Sequence, residues 1–240
     1  MSGHSKWSTI KRKKGAADAK RGKMFTRCIH EITVAVKEGG ADPAANSRLR
    51  IALDKAKSVN MPGDTVDRAM KRASGELKGE GTHELIYEGY GPGGTAILVE
   101  AITDNKNRTA SEVRHAFTKY GGSLGAAGCV SWMFSKKGLI TITKAEIDEE
   151  SLMELALPAG AEDIRLEDET WEVIVTPASF EAVRVAVEGR VPLQSAELTN
   201  LANNYVPLGE AEAETMMKLL EALEDLDDVV SVSSNCDFVS

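Results

Sequence analysis

The spacing of apolar residues changes once along this 240-residue chain, at the glycine-containing segment Gly75–Gly81. Before this segment, apolar residues recur at helical spacing; after it, short runs typical of strands alternate with helical stretches. Phe25, Ile29, Ile32 and Val36, for example, fall at i, i+4, i+7 and i+11, which is one face of an α-helix. The chain is therefore expected to combine a helical region with a region of mixed α and β structure.

The helical region is predicted to be a small three-helix bundle that follows a pliable tail of residues 1–22. The tail is basic and has few apolar residues, so it has little surface to bury. The predicted helices are Lys23–Glu38, Pro43–Val59 and a third helix for which Asp64 is the N-cap.

The region after the Gly75–Gly81 segment is predicted to begin with a β-hairpin whose turn is Gly91–Gly94. A helix should follow, started by a capping box of Thr109 and Glu112. The segment Cys129–Phe134 is then predicted to be another strand, because it is short, apolar and contains valine and phenylalanine.

The order of elements further along predicts that one α+β unit is inserted into another. Residues 138–206 contain a complete β-α-β-β-α-β series, whereas residues 82–134 lack a second helix and a last strand. Residues 209–237 supply both missing elements. The predicted fold class is α+β, with domains at 1–78, at 79–135 together with 208–240, and at the inserted segment 136–207.

The charges are strongly segregated along the sequence. Residues 1–78 hold 18 of the 29 Lys and Arg residues but only 8 of the 37 Asp and Glu residues, so their net charge is +10. Residues 79–240 therefore have a net charge of −18. Such asymmetry is typical of a polyanion-binding end on an acidic body, so we expect DNA or RNA as partner.

The candidate nucleic-acid-binding residues come mostly from the basic first third, with a smaller basic patch further on. Trp7 has two open interpretations, an anchor that pins the tail to the bundle or an aromatic ring that stacks on a base. The candidates are Lys6, Trp7, Lys11, Arg12, Lys13, Lys14, Lys20, Arg21, Lys23, Arg27, Arg48, Arg50, Lys55, Arg68, Lys71, Arg72, Lys106, Arg108 and Arg114.

Enzymatic chemistry has little support in the sequence. Gly89, Gly91 and Gly94 match G-x-G-x-x-G, but a strand follows them where a dinucleotide site needs a helix, so we interpret them as turn residues. The four histidines show no metal-ligand spacing with each other or with a cysteine. We therefore expect no catalytic residues, no metal and no cofactor.

The cellular setting is predicted from cysteines and hydropathy. The three cysteines are far apart and odd in number, as expected of free thiols in a reducing cytosol. No run of 18 apolar residues occurs, so no membrane span is expected. A cytoplasmic location follows, with a basic transit peptide as the lesser alternative.

Several long motifs resemble the YebC/PmpR family, and they occur in the same order along essentially the whole chain. They are Gly3-His4-Ser5-Lys6-Trp7, Asp18-Ala19-Lys20-Arg21-Gly22-Lys23, Tyr87-Glu88-Gly89-Tyr90-Gly91-Pro92-Gly93-Gly94, Asp104-Asn105-Lys106-Asn107-Arg108-Thr109 and Ser111-Glu112-Val113-Arg114-His115-Ala116-Phe117. The resemblance implies a helical N-terminal domain followed by two ferredoxin-like α+β domains, in a protein of the bacterial cytoplasm.

The same resemblance implies a regulator of gene expression and leaves its target open. One interpretation is a DNA-binding transcriptional regulator. The alternative is a ribosome-associated translation factor that relieves stalling by inserting its basic N-terminal region into rRNA. A metal-dependent nuclease hidden among the many carboxylates is a third, less supported hypothesis, and the oligomeric state stays open.

Overall fold

The computed structural model describes residues 17–75, 83–103, 105–167 and 169–238. The helices in this part of the chain are α1 (Ala17–Gly39), α2 (Ser47–Ser58), α3 (Gly63–Ala73), α4 (Lys106–Lys119), α5 (Glu149–Ala159), α6 (Phe180–Glu188) and α7 (Glu210–Glu224). The strands are β1 (His83–Tyr90), β2 (Ala96–Thr103), β3 (Ser123–Leu124), β4 (Phe134–Thr143), β5 (Ala161–Glu167), β6 (Thr170–Val175), β7 (Ser195–Ala202), β8 (Val206–Leu208), β9 (Val229–Ser234) and β10 (Cys236–Phe238).

Helices α1, α2 and α3 share one apolar core, as the helical spacing predicts. Cys28 and Ile32 of α1 are buried together with Leu49 of α2 and Ala69 of α3. The turn between α1 and α2 is closed by the buried Asn46 side chain. Its amide donates to the carbonyls of α1 residue Ala35 (2.7 Å) and of Gly40 (2.8 Å), while its oxygen accepts from the first turn of α2. One side chain thus satisfies backbone groups at two helix ends.

Three predicted helix starts are wrong. Helix α2 begins at Ser47 after its N-cap Asn46, not at Pro43, and residues 43–45 form a turn. Helix α1 begins at Ala17, so residues 17–22, which were expected to belong to the tail, are helical. Helix α3 is preceded by Pro62 as its N-cap, with no side-chain capping bond, and Asp64 lies inside its first turn. Proline suits this entry because its ring fixes φ, here at −60°, and the Asp64 charge still favours the positive end of the helix dipole.

The first sheet has the strand order β3-β1-β2-β9 and is antiparallel between neighbours. Helices α4 and α7 pack on one of its faces. Phe117 of α4 and Leu219 of α7 are fully buried in the same cluster as Ile97 and Val99 of β2. Strand β9 comes from the far end of the chain, which confirms that residues after 208 complete the sheet begun by β1 and β2.

The second sheet, with order β5-β6-β4-β7, is the predicted inserted unit. Its elements follow the order β4, α5, β5, β6, α6 and β7, and all its pairings are antiparallel, which is the ferredoxin-like arrangement. Ile140 of β4, Trp171 of β6 and Phe180 of α6 lie in its core, and Ile51 of α2 packs against the same core. The exact domain boundaries remain a prediction, which these separate cores support.

The hairpin turn at Gly91–Gly94 is confirmed. Strands β1 and β2 pair antiparallel from His83 with Thr103 to Tyr90 with Ala96, and the turn between them holds one short 3₁₀ turn. Gly93 has a φ of +69°, and a Cβ there would lie 2.5 Å from a methyl carbon of Leu208. The glycine therefore serves a crowded left-handed turn, as expected for the hairpin interpretation.

The strand predicted at Cys129–Phe134 is wrong. Residues Ser131–Met133 form a 3₁₀ turn, and only Phe134 belongs to a strand, β4. The reason is the buried Glu88 side chain of β1, whose carboxylate accepts hydrogen bonds from the backbone N–H groups of Val130 (2.8 Å) and Ser131 (2.7 Å). Those N–H groups are consequently not available to a neighbouring strand.

The predicted capping box is also wrong. Helix α4 starts at Lys106, and its N-cap is Asn105, whose side chain accepts from the N–H of Arg108 at 3.1 Å. The Thr109 hydroxyl instead donates to the buried carboxylate of Asp228 at 2.7 Å. A further parallel pair, β8 with β10, was not predicted because each strand has only three residues.

Replacement of Glu88 by glutamine should destabilise the protein, because Glu88 accepts charge-assisted hydrogen bonds from three backbone N–H groups, those of Gly128, Val130 and Ser131. We expect the free energy of unfolding at pH 7 to fall by about 1–3 kcal/mol, measured by urea denaturation.

Acid should remove this difference between the wild-type protein and Glu88→Gln. Burial alone would raise the pKa of Glu88, but the three N–H groups outweigh it and lower the pKa. A carboxylate with a lowered pKa stabilises the folded state above its unfolded pKa and loses that effect as the pH falls through its folded pKa. Equal stability of the two proteins at pH 7 would contradict the role assigned to Glu88.

Candidate nucleic-acid interface

The predicted nucleic-acid-binding residues fall into groups with different surroundings. Six of them lie outside the described residues: Lys6, Trp7, Lys11, Arg12, Lys13 and Lys14. Lys20, Arg21 and Lys23 are positions of the first two turns of α1. The remaining ten candidates have described side chains, and their contacts separate those that hold the fold together from those that point only to solvent.

Helix α2 packs its cations against the protein itself. Arg50 donates to the carbonyl of Pro43 at 2.7 Å, and its guanidinium lies 3.8 Å from Glu181 of α6. Lys55 donates to Glu31 of α1 at 2.7 Å. Partial burial lowers the pKa of Lys55, but the carboxylates of Glu31 and Glu197 outweigh it and raise the pKa overall. Both cations are candidate nucleic-acid-binding residues, and the structure places them beside carboxylates of the protein itself.

Two further candidates also have partners within the described chain. The half-buried Arg27 of α1 donates from Nε to the carbonyl of Val229 at 3.0 Å, which joins the helical region to the first residue of β9. Arg48 forms an exposed ion pair with Glu38. Arg27 is therefore primarily a tie between two parts of the fold, whereas the exposed pair of Arg48 is weak enough to open.

Arg108 belongs to a buried cluster around Asp228. Its Nη2 donates to both carboxylate oxygens, at 2.8 and 3.0 Å, and the hydroxyls of Thr103 and Thr109 donate to Oδ2 at 3.0 and 2.7 Å. Burial would raise the pKa of Asp228, but the hydrogen bonds from Arg108, Thr109 and Thr103 hold it below its ordinary value. The cluster links the end of β2, the first turn of α4 and the segment before β9.

The last turns of α3 carry the least engaged cations. Arg68, Lys71 and Arg72 are exposed and spaced at i, i+3 and i+4, so they share one side of the helix. Arg68 donates from Nε to the carbonyl of Asp64 at 3.0 Å, and no carboxylate among the described residues forms an ion pair with it. Within the described ranges, Lys71 and Arg72 form no ion pair.

Helix α4 presents the second, smaller basic surface. Lys106 and Arg114 are exposed on it, and neither forms an ion pair with another described residue. Lys119 lies 5.2 Å from the ring centre of Tyr120, a cation–π contact. Of the three α4 candidates, Arg108 is thus tied to Asp228, whereas Lys106 and Arg114 face solvent.

Neither the cysteines nor the possible metal-binding side chains of the described residues form a recognisable reactive centre. Cys28, Cys129 and Cys236 are free thiols, as predicted, and burial raises the pKa of Cys28 and of Cys236 to about 11. In the part of the chain that the structure describes, no group of three or more His, Cys, Asp or Glu side chains is placed to hold a metal ion. None of the described helices has the length and apolarity needed to cross a bilayer.

Sequence reasoning missed the two buried carboxylates that organise these surfaces, Glu88 and Asp228. Glu88 lies inside the Tyr87–Gly94 motif, where only the glycines attracted attention. Asp228 follows Leu226 and Asp227 in an acidic stretch that resembles a solvated helix end. The apolar run Leu85–Tyr87 directly before the carboxylate was the available signal for Glu88, and no local signal distinguishes Asp228 from its acidic neighbours.

Replacement of Arg108 by alanine should affect stability more than nucleic-acid binding. We expect the free energy of unfolding to fall by about 1–2 kcal/mol at pH 7, because Asp228 stays buried with only its two threonine donors. Thermal or urea unfolding measures the loss. The matched variant Arg114→Ala, from the same helix, should unfold like the wild type; equal destabilisation by both would contradict the assignment.

Comparison with known proteins identifies the family. Residues 5–76 match the TACO1/YebC protein N-terminal domain, and residues 82–236 match the TACO1/YebC second and third domain. A relative from Geobacter sulfurreducens, named "probable transcriptional regulatory protein", is 58% identical over 238 residues, which cover 99% of this chain and 96% of the relative. A relative of the same description from Desulfatibacillum aliphaticivorans is 54% identical with the same coverage.

A solved structure shares the fold. The crystal structure of a conserved hypothetical protein from Aquifex aeolicus is 46% identical, covers 93% of each chain and superposes with a TM-score of 0.84. These matches confirm the resemblance carried by the sequence motifs. The chain belongs to the TACO1/YebC family.

Proposed function

We propose that this protein is a non-enzymatic, nucleic-acid-binding regulator of gene expression in the cytoplasm, and that it acts as a DNA-binding transcriptional regulator. The names of its relatives, "probable transcriptional regulatory protein", support a regulatory role. The observation that carries the proposal is the cationic side of α3, where Arg68, Lys71 and Arg72 are exposed without a described carboxylate partner.

The binding would rest on phosphate contacts. A cation that is not paired within the protein gains the most when it meets a phosphate, because no internal ion pair has to open first. The cations of α3 supply such charges, and the basic positions Lys20, Arg21 and Lys23 add to the net positive charge of the helical region. The acidic remainder repels phosphate, so it favours approach by the helical region.

Base-specific reading is expected to be weak. Helix α3 has the sequence GDTVDRAMKRA, which contains neither asparagine nor glutamine, and its arginines and lysine lie at its middle and in its second half. Recognition helices usually present such amides and arginines to base edges from their N-terminal turns. The proposed contacts therefore fix position on the backbone and give little sequence discrimination.

The second candidate function is a ribosome-associated translation factor whose basic N-terminal region contacts rRNA. The same observation favours it, because phosphate contacts without base readout suit an rRNA surface as well as a duplex. The acidic body, with a net charge of −18 over residues 79–240, would in this case face basic ribosomal proteins.

The double variant Lys71→Ala/Arg72→Ala should bind nucleic acid more weakly and with less salt dependence. Two lost phosphate contacts should flatten the slope of log K against log salt by about 1.8 and reduce affinity about tenfold or more at 0.1 M salt. Fluorescence anisotropy with a labelled 20-base-pair promoter duplex, titrated at several salt concentrations, measures both.

The matched control is Lys144→Ala/Lys218→Ala, which removes two exposed lysines from the acidic body and should leave the slope unchanged. Co-sedimentation with ribosomes forms the second arm. A ribosome-bound fraction that depends on Lys71 and Arg72, with no salt-dependent binding to the duplex, would favour the translation factor over the transcriptional regulator. If the double variant kept both the wild-type salt slope for the duplex and the wild-type ribosome-bound fraction, the proposed role of α3 would be contradicted.

A further inference from the structure

A segment free of charged residues interrupts the acidic body at residues 121–135. This 15-residue segment contains no Asp, Glu, Lys, Arg or His, in a chain of which 28% is charged. Residues Gly125–Gly128 within it are exposed and have at most a methyl side chain. A polyanion that approaches Gly125–Gly128 meets neither a carboxylate nor a bulky side chain of these four residues.

The segment is held in place from beneath. The buried Glu88 carboxylate accepts from the N–H groups of Gly128 (2.6 Å), Val130 (2.8 Å) and Ser131 (2.7 Å). The N–H of Gly125 adds a bond of 2.7 Å to the Glu88 carbonyl. Four hydrogen bonds to one residue of a sheet strand fix the backbone of the segment, so whatever it exposes is preorganised.

Trp132 is the residue that this support exposes. Its side chain is 69% exposed, although its indole Nε1 donates to the carbonyl of Cys129 at 3.1 Å. Tyr90 donates to that same carbonyl at 3.1 Å. By contrast Trp171, whose indole also donates to a carbonyl, is 5% exposed. A tryptophan fixed by its nitrogen but left in water is unusual, because burying its ring would stabilise the fold.

Uncharged polar groups contact the backbone at Trp132 and Met133. The Asn203 backbone N–H donates to the carbonyl of Met133 at 2.8 Å, and its amide nitrogen lies 3.4 Å from the carbonyl of Trp132. The Ser135 hydroxyl donates to the Asn203 side-chain oxygen at 2.8 Å. Asn203 and Asn204 are both exposed. The turn after β7 thus places the Asn203 amide against the backbone of Trp132, with the exposed Asn204 next along the chain.

We infer that Trp132 and Asn203 form a binding site for an unpaired nucleobase, which stacks on the indole and meets the asparagine amides with its edge. This inference rests on the proposed nucleic-acid binding. An aromatic ring that stacks and amides that donate and accept are the chemistry with which proteins hold splayed-out bases. A protein partner is less well matched, since the exposed stretch Gly125–Gly128 of the same segment offers no further large apolar side chain.

The site would add to α3 a contact of a different kind. Stacking does not depend on phosphate neutralisation, so it should contribute affinity without a salt slope. It also requires an unstacked base, which a closed duplex does not offer. Opened DNA and RNA loops both contain such bases, so the inference applies to either candidate target.

The test compares the full-length wild type with Trp132→Ala for binding to labelled 12-nucleotide single strands, oligo(U) RNA and oligo(dT) DNA, and to a blunt 12-base-pair duplex. Trp132→Ala should weaken single-strand binding about 5- to 100-fold and leave the salt slope and the duplex affinity unchanged. Trp132→Phe should recover most of the affinity. Whichever of RNA and DNA shows the larger loss identifies the strand that the site prefers.

Two controls make the result specific. Val185→Ala shortens another exposed apolar side chain, on α6, and should bind like the wild type. In a Trp7→Phe background, single strands should quench the tryptophan fluorescence, because only the buried Trp171 remains besides Trp132.

Wild-type affinity of Trp132→Ala for both single strands would overturn the inference while leaving the phosphate contacts of α3 intact. Loss of self-association in that variant, with single-strand binding retained, would overturn it in favour of a protein contact. If the wild-type protein bound neither the single strands nor the duplex, Lys71→Ala/Arg72→Ala would have no binding to weaken. That result would contradict both the proposed function and this site.

Discussion

The arrangement of the molecule depends on one junction, at Asp228 and Val229. The buried Asp228 carboxylate gathers Arg108, Thr103 and Thr109, which fixes the end of β2 and the start of α4 beside β9. The next residue, Val229, offers its carbonyl to Arg27 of α1. A buried carboxylate needs hydrogen-bond donors, and the carbonyl of an edge strand needs a partner. This junction therefore holds three parts of the chain together, and it engages two cations, Arg27 and Arg108.

This use of cations divides the basic residues into two classes. Arg27, Arg50, Lys55 and Arg108 contact carbonyls or carboxylates of the protein, whereas Lys71 and Arg72 have no described carboxylate partner. The net charge of +10 on residues 1–78 is therefore larger than the positive charge that is available to contact a polyanion. The helical region is packed into the body through Ile51 and Arg27, and its helix α3 carries exposed cations without a described carboxylate partner.

Local patterns predicted the three helices, the hairpin turn and the inserted unit, because helical spacing and strand alternation are read within a dozen residues. The failures share a cause: they depend on partners far away in sequence. Glu88 accepts from Val130, 42 residues on, and thereby prevents a strand; Thr109 donates to Asp228, 119 residues on, instead of capping the helix with Glu112. Which predicted site cations are paired could not be known from sequence for the same reason, and neither could the exposure of Trp132.

The central claim is that the unpaired cations of α3, and not the paired cations of α2, meet nucleic acid. Acetylation of lysines with and without bound nucleic acid, quantified by mass spectrometry, tests it directly. The account predicts that nucleic acid protects Lys71 from acetylation, while Lys55, which donates to Glu31, and Lys218 on the acidic body react as in the free protein. Protection of Lys55 with Lys71 unchanged would contradict it.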